Sequence, residues 1–157
     1  MPGRDHRRPL PRATRAEAGT RPLTLWATTA HLAGARVYWL CAILQEPGAE
    51  GAPYSDATGA GWEGDLAHPR DPSELVFALE SSWTIVQACL ERWTPAMLQD
   101  EFRREIGGKL QLHTRQSVLL RLLTHDGYHG GEISQTLGMH ALKEVHLWTG
   151  RHRPLAT

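Results

Sequence analysis

Residues 119–137, LLRLLTHDGYHGGEISQTL, read as one helix that carries His125 and His129 four positions apart. At 3.6 residues per turn, side chains at i and i+4 stack on one face, so both imidazoles point the same way. Val118 and Leu122 lie below the pair on that face, and Glu132, Ile133 and Thr136 lie above it. The two histidines therefore continue an apolar stripe and are expected to face the core of a helical bundle. Buried neutral imidazoles need polar partners, because an unpaired buried polar group costs free energy. A divalent metal is one such partner, and His is its commonest ligand. In a chain with nine histidines HxxxH also arises by chance, so spacing alone leaves ligands and ordinary core histidines both open. Gly127, Gly130 and Gly131 share the stretch, each costing a helix about 1 kcal/mol relative to Ala. They suggest room for a close approach or a ligand, or else a kink at residues 130–131.

The rest of the chain frames this helix. A length of 157 residues fits one domain with a real core. Seventeen basic residues balance seventeen acidic ones, so no overall field favours nucleic acid or an anionic membrane. No apolar run approaches a membrane span. Cys41 and Cys89 each fall inside an expected helix and read as buried thiols of a reducing, cytoplasmic compartment.

Residues 1–21 carry six arginines, two acids and three prolines with few large apolar side chains. They read as a basic disordered tail ahead of a domain over residues 22–150. Residues 23–45 form the first helix, capped by Thr24, with Leu25, Thr28, Leu32, Ala35, Trp39 and Ile43 at helical spacing and His31 beside that stripe. Pro47 and Gly48 end it and open a long loop, residues 46–72, that contains Trp62 and His68. A second helix spans residues 73–92, capped by Ser73, with Val76, Leu79, Trp83, Val86 and Leu90 as its apolar side. Residues 101–114 switch to alternation around Gly107 and Gly108, a signal for a small β-hairpin. The third helix follows at once, and residues 139–149 make a short, partly apolar end with Trp148.

The segments AHLAGARVYWL around His31 and TRQSVLLRLLTHDGYHGGEISQTLG around His125 and His129 resemble the DinB/YfiT-like family of small helical-bundle metalloenzymes. The resemblance covers roughly residues 23–149. It implies an all-α, up-and-down bundle of four-helix type. Family members begin with a further long helix, and here the arginine-rich tail stands in its place, so the first helix is expected to be short or lost. An uncovered apolar face would follow, and with it a homodimer. The resemblance also implies that His31, His125 and His129 are the three protein ligands of one divalent ion, usually zinc or nickel.

Three imidazoles leave such an ion its full charge and an open position, the arrangement of catalytic sites. The expected chemistry is activation of a low-molecular-weight thiol or of water against a small molecule, as a thiol S-transferase or a hydrolase. Relatives include mycothiol-dependent maleylpyruvate isomerases and bacillithiol transferases. Glu132, three positions after His129, is a candidate to orient a ligand imidazole or take a proton, or is simply an exposed helix glutamate. Two rivals stand beside this reading. One is a hydrolase of HExxH type, in which Asp126 would replace the glutamate. The other is a non-enzymatic metal-binding helical dimer of a stress response.

Overall fold

A computed structural model describes residues 24–54 and 68–145. The proposed tail, the loop tryptophan Trp62 and the terminal tryptophan Trp148 lie outside the described residues. Helix α1 (Leu25–Val37) runs into a π-helical turn at Tyr38–Ile43, and α2 (Pro72–Arg92) follows the long loop. Strands β1 (Glu101–Ile106) and β2 (Lys109–Thr114) form the hairpin, and α3 (Arg115–Met139) follows directly. Among the described residues the fold is helical, with one two-stranded antiparallel sheet.

Local chemistry accounts for each boundary. The Thr24 hydroxyl accepts the Ala27 amide and starts α1. The cap of α2 corrects the sequence expectation. Asp71, not Ser73, is the N-cap: its carboxylate accepts the Ser73 and Glu74 amides, and the Glu74 side chain returns to the Asp71 amide. Pro72 at the first helical position loses nothing, since its missing N–H would have had no intrahelical partner. Thr114 and Ser117 build the same reciprocal cap on α3. In the hairpin Gly107 and Gly108 have φ of 56° and 73°, the left-handed pair that a two-residue type I′ turn requires.

Helix α1 is the central element and packs against both α2 and α3. Eight of its residues are buried, Ala27, Thr28, Ala30, Leu32, Ala33, Gly34, Ala35 and Val37, on most of its circumference. The inward face of α2 also differs from the expectation. Of the expected stripe Val86 is buried and Leu79 packs against the core, but Val76, Trp83 and Leu90, which recur every seven residues, are about half exposed, and Ala78, Ser82, Ile85 and Cys89 are buried in their place. Small side chains on α1 and α2 let the two helices approach closely, and a stripe of bulky residues would not. Trp39, at helical spacing in the first helix's stripe, is buried toward the hairpin.

Beyond the π-helical turn, Gln45 takes a left-handed φ of 58°, and the Glu46 amide reaches back to the Leu40 carbonyl at 2.9 Å. Gly48 has φ of 117°, and a Cβ there would stand 2.9 Å from Ile85 Cγ1, so this corner requires glycine. The corner delivers Glu46, which is buried, to the lower end of the bundle. Its carboxylate accepts from Trp93 Nε1 at 2.9 Å, from Arg115 Nε at 3.0 Å and from Arg92. Arg115 also reaches Asp100 at 2.5 Å and lies over the Phe102 ring. Burial pushes the Glu46 carboxyl up, but the bonds from Arg115, Trp93 and Arg92 outweigh it and hold it below the usual range.

Candidate metal centre

Two helices bring three histidines together. His31 lies on α1, and His125 and His129 lie one turn apart on the facing side of α3. Nε2 of His31 is 2.9 Å from Nε2 of His125. The ring centroids of His31 are 4.8 Å from His125 and 4.9 Å from His129, and those of His125 and His129 are 4.6 Å apart. One nitrogen from each of the three falls within 4.8 Å of the others. All three residues are half-buried at the edge of the core, above the buried Val118 and Leu122. His68, in the long loop, is exposed and not part of the cluster.

The donor set fits a divalent metal. Neutral imidazole nitrogens at hydrogen-bond distance direct lone pairs at one another unless a proton or a cation stands between them. Glu132 fixes one of the rings. Its carboxylate accepts from His129 Nδ1 at 2.6 Å, which leaves Nε2 as the nitrogen with a lone pair. That is the carboxylate–histidine pairing typical behind metal ligands. The Glu132 carboxyl is held below its usual range, chiefly by this bond to His129 and further by one from the Tyr128 hydroxyl. The same contact pushes the Tyr128 hydroxyl up. Glu132 thus stays anionic at neutral pH.

Asp126, the acid inside HDGYH, has a different job. Its Oδ2 accepts from Nε and Nη2 of Arg36 at 3.0 and 2.8 Å. Arg36 follows His31 by five positions, and Asp126 directly follows His125. The ion pair therefore pins α1 to α3 at the height where their histidines meet. Sequence reasoning did not pair these two residues, although opposite charges beside two candidate ligands were the available signal. The engagement with Arg36 speaks against Asp126 as the base of an HExxH-type hydrolase.

A cavity of about 400 Å³ opens beside His129, lined by Leu25, Thr28, Tyr128, Glu132, Ile133 and Met139 among others. Its walls are apolar around a few polar groups, the make-up of a small-molecule site. Tyr38 and Trp39 do not line it. The glycines of α3 carry no close approach: a Cβ at Gly127, Gly130 or Gly131 would meet no described atom within 4 Å, and the helix runs through them unbroken. Cys41 and Cys89 are buried and unpaired with each other, with thiols pushed up to about 11, chiefly by burial. Neither is a nucleophile near neutral pH.

The sequence pattern of the DinB superfamily matches residues 7–133, which include all three histidines. The chain belongs to the DinB superfamily. No curated protein and no solved structure matches it. The DinB match begins within the arginine-rich N-terminal stretch and ends just beyond Glu132. Membership of the superfamily and the convergence of three histidines are compatible with a metal-binding protein. No helix among the described residues is long and apolar enough to cross a membrane.

Proposed function

We propose that His31, His125 and His129 hold one divalent ion, zinc or nickel, and that the chain is a cytoplasmic enzyme acting on a small molecule, as a thiol S-transferase or a hydrolase. The observation that carries this reading is the meeting of His31 with a histidine 94 positions away. A divalent ion in such a site acts as a Lewis acid that makes a thiol or water nucleophilic near neutral pH. Glu132 keeps the His129 ring in one tautomer and orientation. Tyr128, hydrogen-bonded to Glu132 and exposed at the cavity, supplies a hydroxyl that can pass a proton to or from a ligand there. The Arg36–Asp126 pair holds the two helices in register. With both cysteines buried and protonated, a reacting thiol has to come from a small molecule.

Elemental analysis of untagged protein tests the ligand set. One divalent ion per chain is expected. His125→Ala or His129→Ala should each abolish stoichiometric metal while circular dichroism stays helical. Unchanged metal content in both variants would refute the assignment. A screen for thiol transfer then separates an enzyme from a non-enzymatic metal-binding dimer.

The exposed line of Val76, Trp83 and Leu90 on α2 supports a two-fold dimer built from the same patch on both copies. Its interface should clear about 1,000 Å². Light scattering across a dilution series should report a dimer, and a Trp83→Glu variant should shift it to monomer. A monomer at every concentration of the unaltered chain would sink the idea.

A further inference from the structure

The hairpin turns Phe102, Arg104 and His113 toward the bundle. Leu110 and Leu112 of β2 are 69% and 56% exposed, while His113 and, across the register from Gln111, Arg104 are half-buried. These inward positions converge on Trp39, which the π-helical turn presents. The Arg104 guanidinium stands 4.9 Å from the Trp39 ring centre, that of Arg121 stands 4.5 Å away, and the His113 ring lies at 5.0 Å. Arg104 also stacks on Tyr38 and donates from Nε to its hydroxyl at 2.9 Å.

Charge is not balanced here. Arg36, Arg92 and Arg115 each meet a carboxylate. Among the described residues no carboxylate lies within 4.0 Å of Arg104 or Arg121. Two like charges gathered on one ring repel each other, and stacking on the indole face offsets that cost. Guanidinium groups fixed in this way are ready to donate paired N–H bonds to a carboxylate or phosphate. Burial and the charges of Arg121 and Arg104 hold the His113 imidazole below its usual range, so His113 is neutral at pH 7 and adds a hydrogen-bonding group, not a third charge. An open cavity of about 420 Å³ adjoins the group, lined by His113, Ser117, Leu120, Arg121 and Thr124. Arg121 precedes His125 by four positions on α3, one helical turn or about 5.4 Å.

We propose that Arg104 and Arg121, stacked on Trp39 beside His113, form a binding subsite for the anionic group, carboxylate or phosphate, of a small molecule. That this anion belongs to the molecule transformed at the histidine triad rests on the functional reading above. The binding of the anion does not.

The test titrates metal-free protein with succinate and, separately, with inorganic phosphate, at constant ionic strength set by sodium chloride. The readout is the NMR shift of the Trp39 indole N–H and the His113 ring. Saturable binding is expected, weakened roughly tenfold or more in Arg121→Gln and restored in part by Arg121→Lys, because the charge-assisted bonds are lost and then regained. Arg104→Gln should act in the same direction, and Arg103→Gln, on the outer face of β1, should change nothing. Tighter binding of one probe names the source of the anion. Arg121 is exposed on α3, so its substitution leaves the fold intact even if Arg104→Gln loosens the hairpin. No saturation in the unaltered chain, or equal affinity in all variants, would overturn the proposal. The same titration on His125→Ala separates the two readings: metal lost with anion binding retained upholds the subsite whatever the triad does.

Discussion

Helix α3 gathers polar side chains from distant parts of the chain at two heights. At its first turn Arg115 meets Glu46, Asp100 and, through Glu46, Arg92 and Trp93. Near its middle His125 and His129 meet His31. At the lower site opposite charges and hydrogen-bond donors answer one another, with Glu46 and Arg115 both nearly out of solvent. At the upper site three groups of one kind, the imidazoles of His31, His125 and His129, converge beside a cavity. A polar cluster whose members satisfy each other is structural. One that repeats a single metal-ligand type beside a cavity fits an ion, the reading proposed above.

If that contrast is right, the largest effect on stability belongs to the lower site. Glu46→Ala leaves Arg92, Arg115 and Trp93 facing a vacated position, and breaking such a buried pair costs about 3–5 kcal/mol. Urea unfolding followed by circular dichroism should show that loss, and a change below about 1 kcal/mol would mean that the lower site is dispensable. The same carboxylate sets a pH limit. Its folded pKa is lowered, so the unfolded chain binds the proton more readily, and stability rises with pH across that window. The contribution is full above the ordinary glutamate pKa of about 4.3 and fades as pH falls through the lower folded value. Glu46→Gln should flatten this acid limb of the stability curve.

The upper site should answer in affinity and not in stability. Glu132→Gln removes the anion behind His129 and should weaken metal binding about 10–100-fold, the usual effect of a lost outer-shell partner. Competition with a chelator measures it. The urea midpoint should barely move, since Glu132 is exposed on α3. A large loss of stability with unchanged metal affinity would reverse the roles assigned to the two heights.

The upper site was largely legible in the sequence, and the lower was not. HxxxH on a periodic helix fixed where His125 and His129 point, and Gly107 with Gly108 marked the hairpin. His31 had no local signal strong enough to separate it from an ordinary helix histidine, and the family pattern supplied it. Glu46 lies in a loop rich in glycine and proline with no periodicity, and its partners sit 46 and 69 positions away, so nothing near it in sequence reveals its role. Only part of the α2 face was legible: Leu79 and Val86 do face the core, but Val76, Trp83 and Leu90 at sevens look like a core stripe, whereas close packing against α1 favours Ala78 and Ser82. Asp71 was missed as a cap because Pro72 looked like the end of a loop and is the first residue of the helix.

The π-helical turn at Tyr38–Ile43 separates the two heights along one continuous segment. Each π turn holds about one residue more than an α turn, so the residues after Ile43 are rotated by roughly 100° relative to a straight helix. His31 precedes this phase shift, Trp39 lies within it and Glu46 comes after it. The angular setting of the histidine is thereby uncoupled from that of the Glu46 carboxylate. In the manner of a vernier, a single added or deleted residue within these six would re-aim the corner that carries Glu46 while His31 kept its bearing.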